Sequence, residues 1–322
     1  MRIACSLDAG RSLDEAVERV RLAESLGYES VWTTHIARRE PLQVLGHYAR
    51  HTERIGLGVG VVPIVLRHPA LLAMEAATLD EISGGRLRLG IGVSHKVTVE
   101  GWYGLSLDDP VGRMREYATI VRSLLRTGSS GLEGRHYTSR FSFLGYAARP
   151  DLPLLFAALG PKMLALAGEL ADGVVLWMTS PAYIREVVVP TLRARRGSLD
   201  GFEIVANVPV ALGDEAHGRD AIRGRVLPYA QLPFYRAVIA EGGHAEDLAA
   251  FDEALGSGDQ QAAARALPDP FVDDFGASGS AERLRAKIGE YRDAGATLVN
   301  VAPATRFEGE AGLEATLEAL AP

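Results

Sequence analysis

Short apolar runs recur along the chain at 2–7 (RIACSL), 30–34 (SVWTT), 55–62 (IGLGVGVV), 87–92 (LRLGIG), 154–159 (LLFAAL), 173–178 (GVVLWM), 203–212 (EIVANVPVAL) and 297–303 (TLVNVAP). Runs this continuous and this short read as parallel strands covered on both faces. Between most of them the apolar positions return with the helical period. From Ser12 to Leu26, Leu13, Ala16, Val17, Val20, Ala23 and Leu26 fall on one face, with Ser12 as N-cap, Glu15 at the capping-box position and Gly27 as the stop. The same reading predicts helices near Pro41 to Thr52, Pro69 to Ile82, Val111 to Arg126, Pro161 to Leu170, Pro181 to Arg195 and Ala281 to Asp293. Proline at several of their starts fits, because the N–H it lacks has no partner there. Strands alternating with helices imply a (β/α)8 TIM barrel or a doubly wound sheet, and the unbroken repeat to residue 303 favours an α/β barrel formed as one domain over 1–322. Two stretches depart from the repeat. Residues 128–150, with Tyr137, Phe141 and Phe143, suggest a hairpin or extended lid, and 214–275 reads as a helical insertion containing QLPFYRAVI and an acidic, alanine-rich helix near Ala245 to Leu267.

The stretch EISGGRLRLGIGVSH, Glu81 to His95, joins a helix end, a buried strand and a glycine loop. Gly84 and Gly85 suit the left-handed conformation in which helices end. Gly90, Gly92 and Ser94 remove side-chain bulk, which either admits a flat ring or phosphate to the backbone or simply makes a tight turn. Gly56, Gly58 and Gly60 lie inside a strand rather than opening a helix, so they are not a dinucleotide fingerprint. A bulge or unusual peptide near Gly60 and Val61 is the better expectation.

Composition narrows the function classes. Of 322 residues, 47% are hydrophobic and 23% charged, enough apolar content for a large core. A formal net charge of -7 offers no basic field for nucleic acid or an anionic membrane surface. The single cysteine, Cys5, sits in an apolar strand and reads as a buried structural thiol, and no run is long and uninterrupted enough for a signal peptide or membrane span. These features predict a cytoplasmic, soluble protein acting on a small molecule.

His35 and His95 follow the second and fourth strands, at the barrel end where catalytic side chains gather, and either can move a proton near neutral pH. His47 and His51, four apart on a helix, have no accompanying metal-ligand pattern and read as a helix face. At 157–173 a strand ends near Ala158 and a helix begins after Gly160 and Pro161, leaving N–H groups free for an anion, with Lys162 beside them. Trp32, Trp102, Tyr103 and Trp177 are candidates to line a pocket.

Taken together, the stretches 23–35, 51–104, 110–125 and 157–173 resemble the bacterial luciferase-like superfamily, in particular its branch that uses the deazaflavin coenzyme F420. The resemblance implies a (β/α)8 barrel with the ring at the C-terminal mouth. It places a non-proline cis peptide at Gly60 and Val61 and ring contacts at Gly92, Val93, Ser94 and Thr98. Phosphate-side contacts would come from Ala158, Leu159, Gly160, Pro161 and Lys162. His35 matches a position serving substrate protonation. Thr34 stands where several members carry an acidic residue that contacts the cofactor, and His95 where some carry a proton-donating glutamate, so the proton carrier stays open between His35 and His95. The implied chemistry is hydride transfer between F420 and a small organic substrate, with reduction of C=C or C=N. The rivals are an FMN-dependent monooxygenase and a non-catalytic flavin-binding barrel, and the family resemblance further suggests a homodimer.

Overall fold

The computed structural model describes residues 2–10, 12–256, 258–304 and 311–322. The eight apolar runs are the eight strands of a closed parallel barrel: β1 (Ile3–Ser6), β2 (Ser30–Thr33), β3 (Gly56–Pro63), β4 (Leu87–Gly92), β5 (Leu154–Ala157), β6 (Gly173–Trp177), β7 (Glu203–Leu212) and β8 (Leu298–Pro303). Each pairs with its chain neighbour, and β8 closes on β1 with Ile3 opposite Val299. A short strand, Ala277–Gly279, extends the sheet on the outer part of β7.

Side chains alternate between helices and barrel axis, and those on the axis stack in layers. At the N-terminal end a quartet of charges fills the bore. Arg2 pairs with Glu29 at 2.6 Å and Glu203 at 2.5 Å, while Arg88 pairs with Glu29 at 2.7 Å and Glu203 at 3.2 Å. Above it lies an apolar layer of Ala4, Trp32, Leu155, Val175, Val205 and Leu298. Trp32 takes its space from Gly58, where a Cβ would sit 2.3 Å from the indole. Next toward the C-terminal mouth comes a polar layer: Asn300 Nδ2 donates to Ser6 Oγ at 2.9 Å and to Asn207 Oδ1 at 2.5 Å, and Asn207 Nδ2 donates to the Leu176 carbonyl at 2.8 Å.

The helices follow the expected spans closely. The first runs Leu13–Ser25, with the Ser12 hydroxyl accepting from the Asp14 N–H, and Pro41, Pro69 and Pro161 each open one. The helix Pro69–Ser83 ends in left-handed Gly84, whose N–H and that of Gly85 bond back to Glu81 and Asp80. Three local features differ from the sequence reading. A helix at Lys96–Tyr103 begins three residues after β4, the acidic segment is two helices, Ala245–Gly256 and Gln260–Ala266, and a π turn at Ile184–Val188 interrupts the helical segment before Pro190. Residues 129–142 form an antiparallel hairpin whose Leu132, Tyr137 and Phe141 pack against Ala70, Ala73, Ile120 and Leu124, on the outer side of two barrel helices. Residues between β7 and Ala277 fold over the C-terminal ends of β5 to β7 around their own core of Ile222, Val226, Phe251, Phe271 and Phe275. Among the described residues no helix is long and apolar enough to cross a membrane.

Candidate active site

The C-terminal mouth gathers what the chain offers for chemistry. On β3 the Gly60–Val61 peptide is cis, and the register against β4 shifts between Val59 and Val62, so both the expected irregular peptide and the expected bulge are present. The glycines of β4 have a different role from the one expected. A Cβ on Gly90 would lie 2.2 Å from the Val59 carbonyl oxygen, and one on Gly92 would lie 2.6 Å from Val61 Cγ2. On their Cβ side these two positions are small because the irregular stretch of β3 occupies the space. Val93 and Ser94 follow, both half-buried, and Ser94 has φ of 64°, a left-handed conformation that non-glycine residues adopt rarely and mainly at functional turns. Thr98 lies in the first turn of the helix Lys96–Tyr103 rather than in a loop.

His35 leaves β2 half-buried, beside Thr34, and its Nδ1 is buried without a hydrogen-bond partner. Burial lowers its pKa, and repulsion by Arg67 lowers it further against the opposing pull of Glu40. Arg67 is itself held by Glu75 at 2.7 Å and Glu40 at 3.3 Å. Thr34 and Thr33 border a cleft of about 450 Å³ together with Asp8 and Arg38, which pair at 3.3 Å. His95 is also half-buried and its pKa is lowered by burial alone. Its ring lies 5.5 Å from Tyr235 and 6.0 Å from Tyr229, two residues of the segment after β7. Tyr229 in turn meets Trp177, at the end of β6, at 5.6 Å.

Ala158 is buried, and the Leu159 carbonyl accepts from the Tyr183 hydroxyl at 2.8 Å. The helix Pro161–Leu170 begins at Gly160 with no side chain capping its N–H groups, and a Cβ on Gly160 would meet nothing within 4 Å. Lys162 is exposed beside it. Of the aromatic candidates, Trp177 stands at the mouth, Trp32 is barrel core, and Trp102 and Tyr103 are exposed at 59% and 42% on the helix after β4. His51 Nδ1 meets the His47 carbonyl at 2.8 Å, and among the described residues no group of three metal-ligating side chains is assembled. A depression of about 920 Å³ lies at the opposite end of the barrel, where Arg2, Glu29, Arg88 and Glu203 neutralise one another.

Sequence reasoning missed Asn207, Asn300, Tyr229 and Tyr235. The asparagines carried a signal, since each is a polar residue inside an otherwise apolar strand run and a buried polar side chain needs an explanation. The Asn300 Oδ1 and Trp177 Nε1 atoms, like His35 Nδ1, are buried without a hydrogen-bond partner. Unmet donors and acceptors around one mouth fit a polar, flat ligand, and the uncapped helix start beside them fits an anionic group.

A family model described as luciferase-like monooxygenase matches residues 1–298. A Mycobacterium tuberculosis protein provisionally named a coenzyme F420-dependent oxidoreductase is 32% identical over 88% of this chain and 89% of its own. The 5,10-methylenetetrahydromethanopterin reductase of Archaeoglobus fulgidus is 33% identical over 87% of this chain and 86% of its own. Among solved structures, the coenzyme F420-dependent tetrahydromethanopterin reductase of Methanopyrus kandleri superposes with a TM-score of 0.84 at 26% identity, covering 99% of this chain and 97% of that one. The barrel, its irregular third strand and these matches agree: the chain belongs to the luciferase-like monooxygenase family.

Proposed function

We propose that the protein is an oxidoreductase that transfers a hydride between coenzyme F420 and a small organic substrate, in the reductive direction to a C=C or C=N bond. The observation that carries this reading is the set of buried, unpartnered polar atoms at the mouth, His35 Nδ1, Trp177 Nε1 and Asn300 Oδ1, beside an uncapped helix start. Similarity to F420-dependent reductases supports it. When bound, the deazaflavin would supply the hydride donor or acceptor. Thr34, Gly60, Val61 and the residues 92–94 would border its ring, and Ala158 to Lys162 its phosphate side.

The chain's own work is positioning, exclusion of water and control of one proton. His35 and His95 both have lowered pKa values, so at neutral pH each is a neutral imidazole. A neutral imidazole takes the proton of an alcohol in oxidation or donates a hydrogen bond to the acceptor atom, and reduction draws its proton from the minor protonated form. The test is equilibrium binding of F420 and of FMN to cofactor-free protein, read by tryptophan fluorescence. Preference for F420 with oxygen-independent turnover is the expected result. Preference for FMN with oxygen consumption would replace this reading with the monooxygenase activity for which the family is named.

A further inference from the structure

The floor of the mouth is polar on one side and smooth on the other. Side chains two residues beyond the apolar layer point into the same bore, so Ala4, Trp32, Val205 and Leu298 are followed by Ser6, Thr34, Asn207 and Asn300. Across the barrel from them, Leu155 is followed by Ala157 and Gly58 by Gly60. The chain itself fixes the amide orientations in the polar row. Asn207 Nδ2 donates to the Leu176 carbonyl at 2.8 Å, so Asn207 Oδ1 faces β8, and only the Asn300 nitrogen can meet it. That nitrogen gives its other hydrogen to Ser6 Oγ at 2.9 Å. Asn300 Oδ1 is left buried without a donor, in a residue with no exposed surface. Ser6 Oγ accepts from Asn300, so its own hydrogen is uncommitted. Among the described residues that hydrogen meets no acceptor, and neither does the second Asn207 Nδ2 hydrogen. Ser6 and Asn207 are half-buried and open the row to the mouth. A row built only to hold strands together needs none of these unmet groups, and burial makes them costly.

We infer that the row of Ser6, Asn300 and Asn207 reads the ring hydroxyl of the cofactor, and that it selects a hydroxylated deazaflavin over the methylated ring of FMN. The inference rests on the F420 reading. The F420 ring carries a hydroxyl where the FMN ring carries a methyl group. A hydroxyl both donates and accepts, which suits a row with one donorless oxygen and two uncommitted hydrogens. A methyl group in the same place would leave all of them unmet inside the barrel. A site built on hydrogen bonds rejects the analogue that lacks them far more strongly than an apolar pocket rejects a change of one methylene. Ser6 and Asn207 are the ends that touch the hydroxyl, and Asn300 positions both through its amide nitrogen. The row stands directly above the Trp32 layer, at the bottom of the mouth, so a ring held there lies below any substrate that shares the opening.

The probes are 8-hydroxy-5-deazaflavin with a ribityl side chain and 5-deazariboflavin, its dimethyl counterpart. Both lack a phosphate, so the helix start at Gly160 takes no part in telling them apart. Binding to cofactor-free protein is followed by quenching of deazaflavin fluorescence. Wild type is expected to bind the hydroxylated ring about tenfold or more tightly than the dimethyl ring. Asn300→Leu keeps the volume and removes the amide, and it should bring the two affinities to within about twofold. Ser6→Ala removes one hydroxyl from a half-buried position, so it keeps the test open if the leucine variant does not fold; it should narrow the ratio by about threefold. Affinity for the dimethyl ring should not fall in either variant. A wild-type ratio near one, a ratio that survives either substitution in folded protein, or an equal loss of both probes would overturn the inference, since equal loss marks damage to the barrel rather than loss of recognition. F420 bound more tightly than FMN together with a wild-type ratio near one would strike the inference and leave the F420 reading standing. FMN bound more tightly than F420 would remove that reading itself.

Discussion

Replacing Gly90 by alanine tests the account of β4 most directly. The added Cβ would stand 2.2 Å from the Val59 carbonyl oxygen, about 1.2 Å short of the 3.4 Å at which ordinary contact begins, and 3.0 Å from Val61 Cγ1. The near neighbour is backbone in the adjacent strand, so no flexible side chain can swing away and β3 and β4 must separate. Overpacking a well-filled core costs roughly 1–3 kcal/mol, and a backbone obstacle belongs at the top of that range, about 3 kcal/mol. With an unfolding entropy of about 2.1 cal/mol/K per residue, a chain of 322 residues loses about 1.5 °C per kcal/mol, so Tm should fall by about 4–5 °C. Gly160→Ala is the paired control. Its backbone is ordinary, φ of -77° and ψ of 157°, and its Cβ meets nothing, so Tm should hold. If that backbone receives the anionic end of a cofactor, F420 affinity should drop while stability does not. Differential scanning fluorimetry and a binding titration read both variants. A Gly90→Ala protein as stable as wild type would refute the assignment of β4's glycines to strand packing.

Other expectations concern protons and the lone thiol. Because folded His35 and His95 resist protonation, the unfolded chain takes up protons first as pH falls through the ordinary histidine value of about 6.5, so stability should decline below that pH. A His35→Gln, His95→Gln double variant should show a flatter acid limb in thermal melts. His244 has the opposite sign: burial opposes its charge, but hydrogen bonds to Asp274 at 3.0 Å and Asp247 at 2.7 Å raise its pKa. Its contribution is present in full below about pH 6.5 and fades as pH rises through its folded pKa, so His244→Gln should cost more stability at pH 6 than at pH 8. If His35 carries the proton, Arg67→Gln should shift the alkaline limb of the reduction rate, where the protonated imidazole is lost, to higher pH, and an unmoved limb would exclude it. Cys5 is fully buried with its pKa raised by desolvation, so an aromatic disulfide reagent should label it only after unfolding.

The barrel was legible because strands covered on both faces must be apolar throughout, and all eight runs stood out between helices opened by proline or serine. Local signals also sufficed for the Gly84 cap and for the irregular backbone at Gly60 and Val61. Gly90 and Gly92 were ambiguous for a physical reason. A missing Cβ admits any close neighbour, and only three-dimensional packing shows that β3 fills the Cβ side of both. The helix Lys96–Tyr103 was hidden by two β-branched valines, Thr98 and Gly101, all poor helix formers, within eight residues. Contacts of Tyr229 and Tyr235 with His95 join positions more than 130 residues apart and leave no periodic trace. The Ser6, Asn207 and Asn300 row likewise joins distant positions, 93 and 294 residues apart, although a polar residue in an apolar strand pointed to it.

The charge quartet at the base of the barrel and the Trp32 layer above it turn the bore into a well with a single door. Two molecules that share such a well queue. The one lying deeper enters first and leaves last, and the shallower one turns over above it. If, as proposed, a cofactor lies deeper in that mouth than its substrate, the architecture imposes an ordered sequence, with cofactor release blocked whenever product remains. Excess product should then trap the cofactor in place, slowing its exchange without competing for its site.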